Sequence, residues 1–223
     1  MLLAIDTSTE TAGVALADGG RTRGELSWLS GQNHTVELLP AVQHLLGQAK
    51  IGPASLEAVV VARGPGSFNG LRAGMATAKG LAYALSIPLV GIGTLEVEAY
   101  PYAITGLPIC PIFDAGRGEI ATATYQRKEG RWQTLEPEHI TTLEALSHEL
   151  ASERSLFCGE ITVAVASFLQ ERLGERAVIA SGASLLRRAG FLAELGWKRL
   201  ERGERDDVAT LQPIYLRRPP GEK

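Results

Sequence analysis

Apolar and polar positions follow two rhythms along this chain, a period of two near the start and near the middle, and helical spacing in between. Leu2 to Ile5 is a short continuous apolar run, the pattern of a buried strand. A polar turn, "DTSTET", follows it. "GVALAD" and "TRGELSWL" then alternate as strands do, and Gly19-Gly20 between them marks a hairpin. Over residues 34–48 the spacing turns helical, with Val36, Leu39, Val42 and Leu46 on one expected face. "EAVVVAR" predicts a strand, residues 67–85 a helix, "IPLVGIG" a strand and residues 95–104 a further helix.

The order then restarts. "PICPIFDAGRGEIATATYQRKEGRWQTLE" is again a strand ending in aspartate, a polar turn, a strand, a turn and a strand, and Asp114 takes the place of Asp6. Helices are expected at 143–152, 161–173 and 183–195, with short strands at 156–158 and 177–180. Each half reads β-β-β-α-β-α. The repeat is far longer than a solenoid unit, so it predicts a duplicated α/β domain with two similar lobes. The expected division is 1–105 for the first lobe and 106–223 for the second, with the C-terminal segment able to pack back on the first.

Charge and composition narrow the classes. The chain has 223 residues, 45% hydrophobic and 21% charged, enough for a real core without staples. Its 22 basic and 25 acidic side chains leave a net charge of −3. That argues against binding nucleic acid unaided, because phosphate neutralisation needs a basic surface. Cys110 and Cys158 have no metal or redox spacing and read as two reduced structural thiols of a cytosolic chain. The N-terminus meets an aspartate at its sixth residue, so no signal-peptide core is expected, and no apolar run reaches membrane-spanning length.

Candidate chemistry concentrates in "VARGPGSFNGLRAGMATAKGLAYAL". Glycines 64, 66 and 70 lie between a strand and a helix, where backbone N–H groups can hold an anion. The loop lacks the Gly-Lys-Ser/Thr of a P-loop, and it fits neither a dinucleotide fingerprint nor a nucleophile elbow. By itself it reads as a strand-to-helix turn. Gly70, Gly74, Ala78 and Ala82 recur every four residues and share one helix face. Such a face either packs tightly on its own sheet or forms a seam for a partner's helix. Asp6, Thr7, Ser8 and Thr9 form either a simple hairpin turn or a cup for magnesium and phosphate. Histidines 34, 44, 139 and 148 show no metal-binding spacing and no Ser/His/Asp arrangement, so no metal site is expected.

"LLAIDTSTETAGVAL", "HTVELLPAVQHLL", "VVVARGPGSFNGLRAGMATAKGLAYALSIPLVGIGTLE", "FDAGRGEIATATY" and "LQPIYLR" occur in that order. Together they resemble the bacterial TsaB (YeaZ) family of tRNA threonylcarbamoyladenosine biosynthesis proteins, with Asn69 where the family more often has threonine. The resemblance implies an actin-like ATPase fold (ASKHA, ribonuclease H-like), two duplicated lobes with mixed β-sheets flanked by helices. It also implies a supporting, non-catalytic subunit. Its partners would be the catalytic subunit TsaD and the ATPase TsaE, with a homodimer formed when alone and tRNA met only through the complex. Two metal-binding histidines of the catalytic relative line up with Thr94 and Glu98 here, which cannot replace a two-imidazole site. "ASGASLL" retains only Gly182 of an expected Gly-Gly adenosine turn. No cofactor is implied beyond weak ATP or ADP at a partner interface, touching Asp6, Thr7, Ser8 and Thr9. The partner interface would use Leu38, Leu39, Gly70, Arg72, Gly74, Thr77, Ala78 and Leu81. The rival readings are a stand-alone actin-fold ATPase or small-molecule kinase, and a protease.

Overall fold

A computed structural model describes residues 1–31 and 33–217. The chain forms two compact units, one of Met1–Val97 with Arg188–Lys223 and the other of Glu98–Arg187.

The first unit is built on a five-stranded sheet. β1 (Leu2–Asp6), β2 (Thr11–Asp18) and β3 (Arg21–Leu29) form an antiparallel meander. Gly19 and Gly20 both have positive φ, which the tight turn between β2 and β3 demands. After α1 (His34–Gln48), β4 (Ala58–Ala62) pairs parallel to β1. After α2 (Phe68–Leu85), β5 (Leu89–Ile92) pairs parallel to β4. The order is β3-β2-β1-β4-β5. The strands on either side of β1 run in different directions because a hairpin connects one and helical crossovers connect the others.

Alternation along the strands separates the two faces of this sheet. Leu3, Ile5, Val14, Leu16, Val59 and Val61 join Leu38, Val42, Leu45, Met75 and Ala78 of α1 and α2 in one core. Val60, between Val59 and Val61, points the other way and meets Gly196 of the last helix, α6 (Ala189–Glu201). A side chain at 196 would collide with Val60, so the glycine sets how closely α6 lies on the sheet.

The second unit repeats the plan. α3 (Thr94–Ala99), whose first four residues belong to the first unit, leads into a 3₁₀ segment, Tyr100–Thr105, where Pro101 withholds the N–H that a continuing α-helix would need. β6 (Ile109–Gly116), β7 (Glu119–Lys128) and β8 (Arg131–Thr141) form a meander. α4 (Leu143–Glu149), β9 (Ser155–Gly159), α5 (Val163–Leu173) and β10 (Ala177–Ile179) follow. The order β10-β9-β6-β7-β8 is the first sheet's order with β6 to β10 in the places of β1 to β5. Asp6 ends β1, and Asp114 lies two residues before the end of β6.

The units do not divide between residues 105 and 106. The second begins at Glu98 and ends at Arg187. The segment 183–195 is also not one helix. Gly182–Leu185 is a 3₁₀ turn, and α6 starts at Ala189 and belongs to the first unit. The reason is burial: Ala189, Leu192, Ala193 and Leu195 of α6 are enclosed, and the sheet of the first unit supplies the matching surface.

Cys110 and Cys158 are buried free thiols on neighbouring strands β6 and β9. Cys110 is aligned with Phe157 rather than with Cys158, so the two sulfurs lie on opposite faces of the sheet. Burial pushes the Cys110 thiol up to about 12 and that of Cys158 well above the ordinary range. Native protein at pH 8 is therefore expected to resist iodoacetamide, with both thiols reacting in denaturant; rapid native labelling would contradict this burial. The linkage has a sign. A pKa raised on folding gives stability that is full below the free-thiol value near 9 and is lost as pH rises toward about 12. Among the described residues, no helix is long and apolar enough to cross a membrane.

Candidate functional site

The glycine-rich helix and the polar turn after β1 are one construction. The Asp6 carboxylate accepts from the Ser8 N–H at 2.9 Å and from the Ser8 hydroxyl at 2.6 Å, which folds the turn back on itself. The Thr7 hydroxyl donates to the Gly70 carbonyl at 2.7 Å, and the Ser67 N–H donates to the Ser8 carbonyl at 2.7 Å. A Cβ on Gly66 would overlap the Ser8 carbonyl oxygen, one on Gly70 the Thr7 carbonyl oxygen, and one on Gly74 the Thr7 hydroxyl. The missing side chains thus let the turn seat against α2.

This settles where the expected nucleotide-contact residues lie. Asp6, Thr7 and Ser8 are buried, and Thr9 is half-buried with its hydroxyl donating to the Thr11 carbonyl. The 64–67 loop is also closed on itself. The Gly64 N–H donates to the Thr94 hydroxyl at 3.0 Å, and the Thr94 N–H donates to the Gly64 carbonyl at 2.7 Å. Ser67 caps α2, its hydroxyl accepting from the Gly70 N–H. Gly64 has φ +106, and a side chain there would strike the Ile214 carbonyl. The Gly64, Ser67 and Gly70 amides are thus engaged within the unit itself.

The expected interface residues separate into two groups. Leu38, Gly70, Gly74 and Ala78 are buried within the unit, so they do not form a surface. This corrects the seam reading of the small-residue stripe: it packs on the protein's own sheet and turn. Leu39 and Arg72 are exposed, and Thr77 and Leu81 are half-buried. Arg72 stacks on Phe68, its guanidinium carbon 3.8 Å from the ring centroid, and Tyr215 flanks Phe68 at 5.3 Å. Sequence reasoning missed two neighbours on the same two helices, Val36 at 70% exposure and Tyr83 at 81%. The helical spacing groups Val36 and Leu39 on one face with Val42 and Leu46. The helix instead buries His34, Leu38, Val42, Leu45 and Leu46, and turns Val36 and Leu39 outward. The available signal was the second apolar stripe on α1, which a single-faced helix does not need.

Thr94 and Glu98, one turn apart on α3, have separate duties. Thr94 locks the 64–67 loop as described. In the second unit, Glu98 pairs with Arg187 at 3.4 Å, both side chains buried, and Arg187 also lies over the Phe113 ring. In the turn holding Gly182, the Ser184 carbonyl accepts from the Tyr102 hydroxyl at 2.5 Å.

Comparison with known proteins fits this architecture. The chain is 37% identical over 220 residues to the tRNA threonylcarbamoyladenosine biosynthesis protein TsaB of Bacillus subtilis, covering 97% of this chain and 93% of that protein. The chain belongs to the TsaB (YeaZ) family. The solved structure of YeaZ from Pseudomonas aeruginosa superposes with a TM-score of 0.82 at 30% identity, over 96% of this chain and 99% of that one. The family model described as TsaD, tRNA N6-adenosine threonylcarbamoyltransferase, matches residues 28–219. The ethanolamine utilization protein EutJ of Carboxydothermus hydrogenoformans, at 11% identity and a TM-score of 0.53 over 87% of this chain and 89% of that one, shares the fold alone. The fold of this TsaB family member is the actin-like ATPase fold in two duplicated lobes.

Proposed function

We propose that this protein is a non-catalytic, cytoplasmic scaffold and activator of the complex that makes threonylcarbamoyladenosine beside the anticodon of tRNAs reading codons that begin with A. It partners a catalytic TsaD subunit and a TsaE ATPase, pairs with itself when alone, and meets tRNA only within the complex. The observation that carries the reading is the state of Thr94 and Glu98. At the positions where the catalytic relative has metal-binding histidines, one residue locks a loop and the other is held in a buried ion pair. Neither is arranged to serve a reacting group. The inward-turned Asp6 carboxylate likewise supports weak or no nucleotide binding by the chain alone.

The partner face follows from what α1 and α2 leave outside: Val36, Leu39, Arg72 and Tyr83, with Thr77 and Leu81 half-buried beside them. An apolar, cation-bearing helical surface of this kind suits a protein partner. Reconstitution tests the whole reading. TsaD, TsaE, tRNA, ATP and threonylcarbamoyl-adenylate, with AMP as the leaving group, should modify tRNA with this chain present and fail or slow greatly without it. Modification by this chain with no TsaD would overturn the proposal. A second test concerns the face. Leu39→Glu together with Tyr83→Glu should weaken TsaD capture at least tenfold while melting within a few degrees of wild type, because both side chains are solvent-facing. Full capture by that variant would move the interface elsewhere.

A further inference from the structure

We propose that Glu136, His139 and Glu149 of the second unit form a binding site for a divalent transition-metal ion, separate from the α1–α2 face. One ligand atom from each of the three lies within 4.8 Å of the others. No spacing in the sequence announces the group, because it is assembled by a strand irregularity and a helix end.

The irregularity is in β8. Thr122 of β7 is aligned with His139, but Thr124 is aligned with Glu136, so two steps along β7 match three along β8. In a regular strand, residues three apart point to opposite faces. The extra residue restores Glu136 and His139 to the same face, the one shared by Thr122 and Thr124. That face is covered by α4 and α5: Thr124 touches Cys110, which packs in a core with Leu146 and Leu169. Glu149, the last residue of α4, is thereby brought to the rim beside the strand pair.

The chemistry fits a metal better than a simple ion pair. His139 Nδ1 lies 2.9 Å from the Pro137 carbonyl. A carbonyl can only accept, so Nδ1 is the donor in this contact and Nε2 is the nitrogen left to meet a metal. Metal-binding imidazoles are commonly held this way, with the far nitrogen donating to a backbone carbonyl. Glu136 Oε1 lies 3.9 Å from the same Nδ1, long for an ion pair. Two carboxylates gathered around one imidazole gain from a doubly charged ion between them. One nitrogen and two carboxylate oxygens select a borderline ion such as zinc over magnesium or calcium, which prefer all-oxygen sets. Glu149 is exposed and the other two are half-buried, so water completes the coordination. Bound there, the ion would pin the edge strand β8 to the end of α4.

The test is calorimetric titration of zinc chloride into the full chain, with melting curves at the same zinc concentrations. Wild type should bind one ion per chain at this site and melt higher with zinc, and magnesium at equal concentration should do neither. Glu149→Gln changes an exposed side chain, so its metal-free melting should match wild type. It should bind zinc at least tenfold more weakly, and His139→Gln should lose the site. The proposal is overturned if wild type binds no zinc, if Glu149→Gln binds as tightly as wild type, or if magnesium competes equally with zinc.

Discussion

Gly74→Leu is expected to destabilise the first unit severely, by about 3 kcal/mol or more, at the upper end of overpacking costs. The new side chain would begin where the Thr7 hydroxyl already sits, and Ile5 of β1 lies just beyond. The gain in helix propensity on leaving glycine, up to about 1 kcal/mol, is too small to offset it. Gly70→Ala sharpens the argument with a single methyl group, because its neighbour is the Thr7 main-chain carbonyl, which cannot rotate aside. Urea unfolding of both variants measures the effect. If Gly74→Leu unfolds at the wild-type urea concentration and fails only in capturing TsaD, the stripe would be a partner seam after all.

Breaking the Glu98–Arg187 pair is the second large effect. Both side chains are almost wholly enclosed. Removing one member of a buried ion pair typically costs about 3–5 kcal/mol, because the other charge stays in a low-dielectric surrounding. Glu98→Ala should therefore cost that much in the second unit. These two residues are also the first and last of that unit, so the pair ties its ends together. Hydrogen exchange should show β6 and β9 losing protection before the first sheet. The double change Glu98→Met with Arg187→Met should recover much of the loss, since a buried pair is worth little against apolar packing of similar volume. A loss under about 0.5 kcal/mol for Glu98→Ala, the range of surface changes, would mean the pair is not buried in solution.

Much was legible in the sequence because local physics wrote it there. The continuous apolar run at Leu2–Ile5 and the strand patterns after it became β1 to β3, their echo became β6 to β8, and the Gly19-Gly20 turn has the positive φ angles that glycine adopts readily. Residues 34–48 are helical over that whole span, and Ser67 caps α2. The Asp6 and Asp114 echo reflects two sheets of the same strand order. The ordered motifs identified the family, because they stretch from β1 to the C-terminal segment.

Tertiary structure decided what each apolar surface faces. Periodicity places Val36, Leu39 and Val42 near one another on α1, but α1 carries two apolar stripes, and only the sheet beneath it chooses Leu38, Val42 and Leu45 for the core. A stripe of small residues likewise says that a backbone approaches closely; that the approaching backbone is the Thr7–Ser8 turn depends on a pairing some sixty residues distant in sequence. The bounds of the two units depend on the same contest, since α6 returns to the first sheet through burial against strands far upstream. The Glu136, His139 and Glu149 group needed a strand bulge and a helix end to meet. Sequence determines which residues can turn, cap or alternate, because those preferences act over a few bonds. Which of two equivalent faces is buried is a contest between distant surfaces, and only the folded chain resolves it.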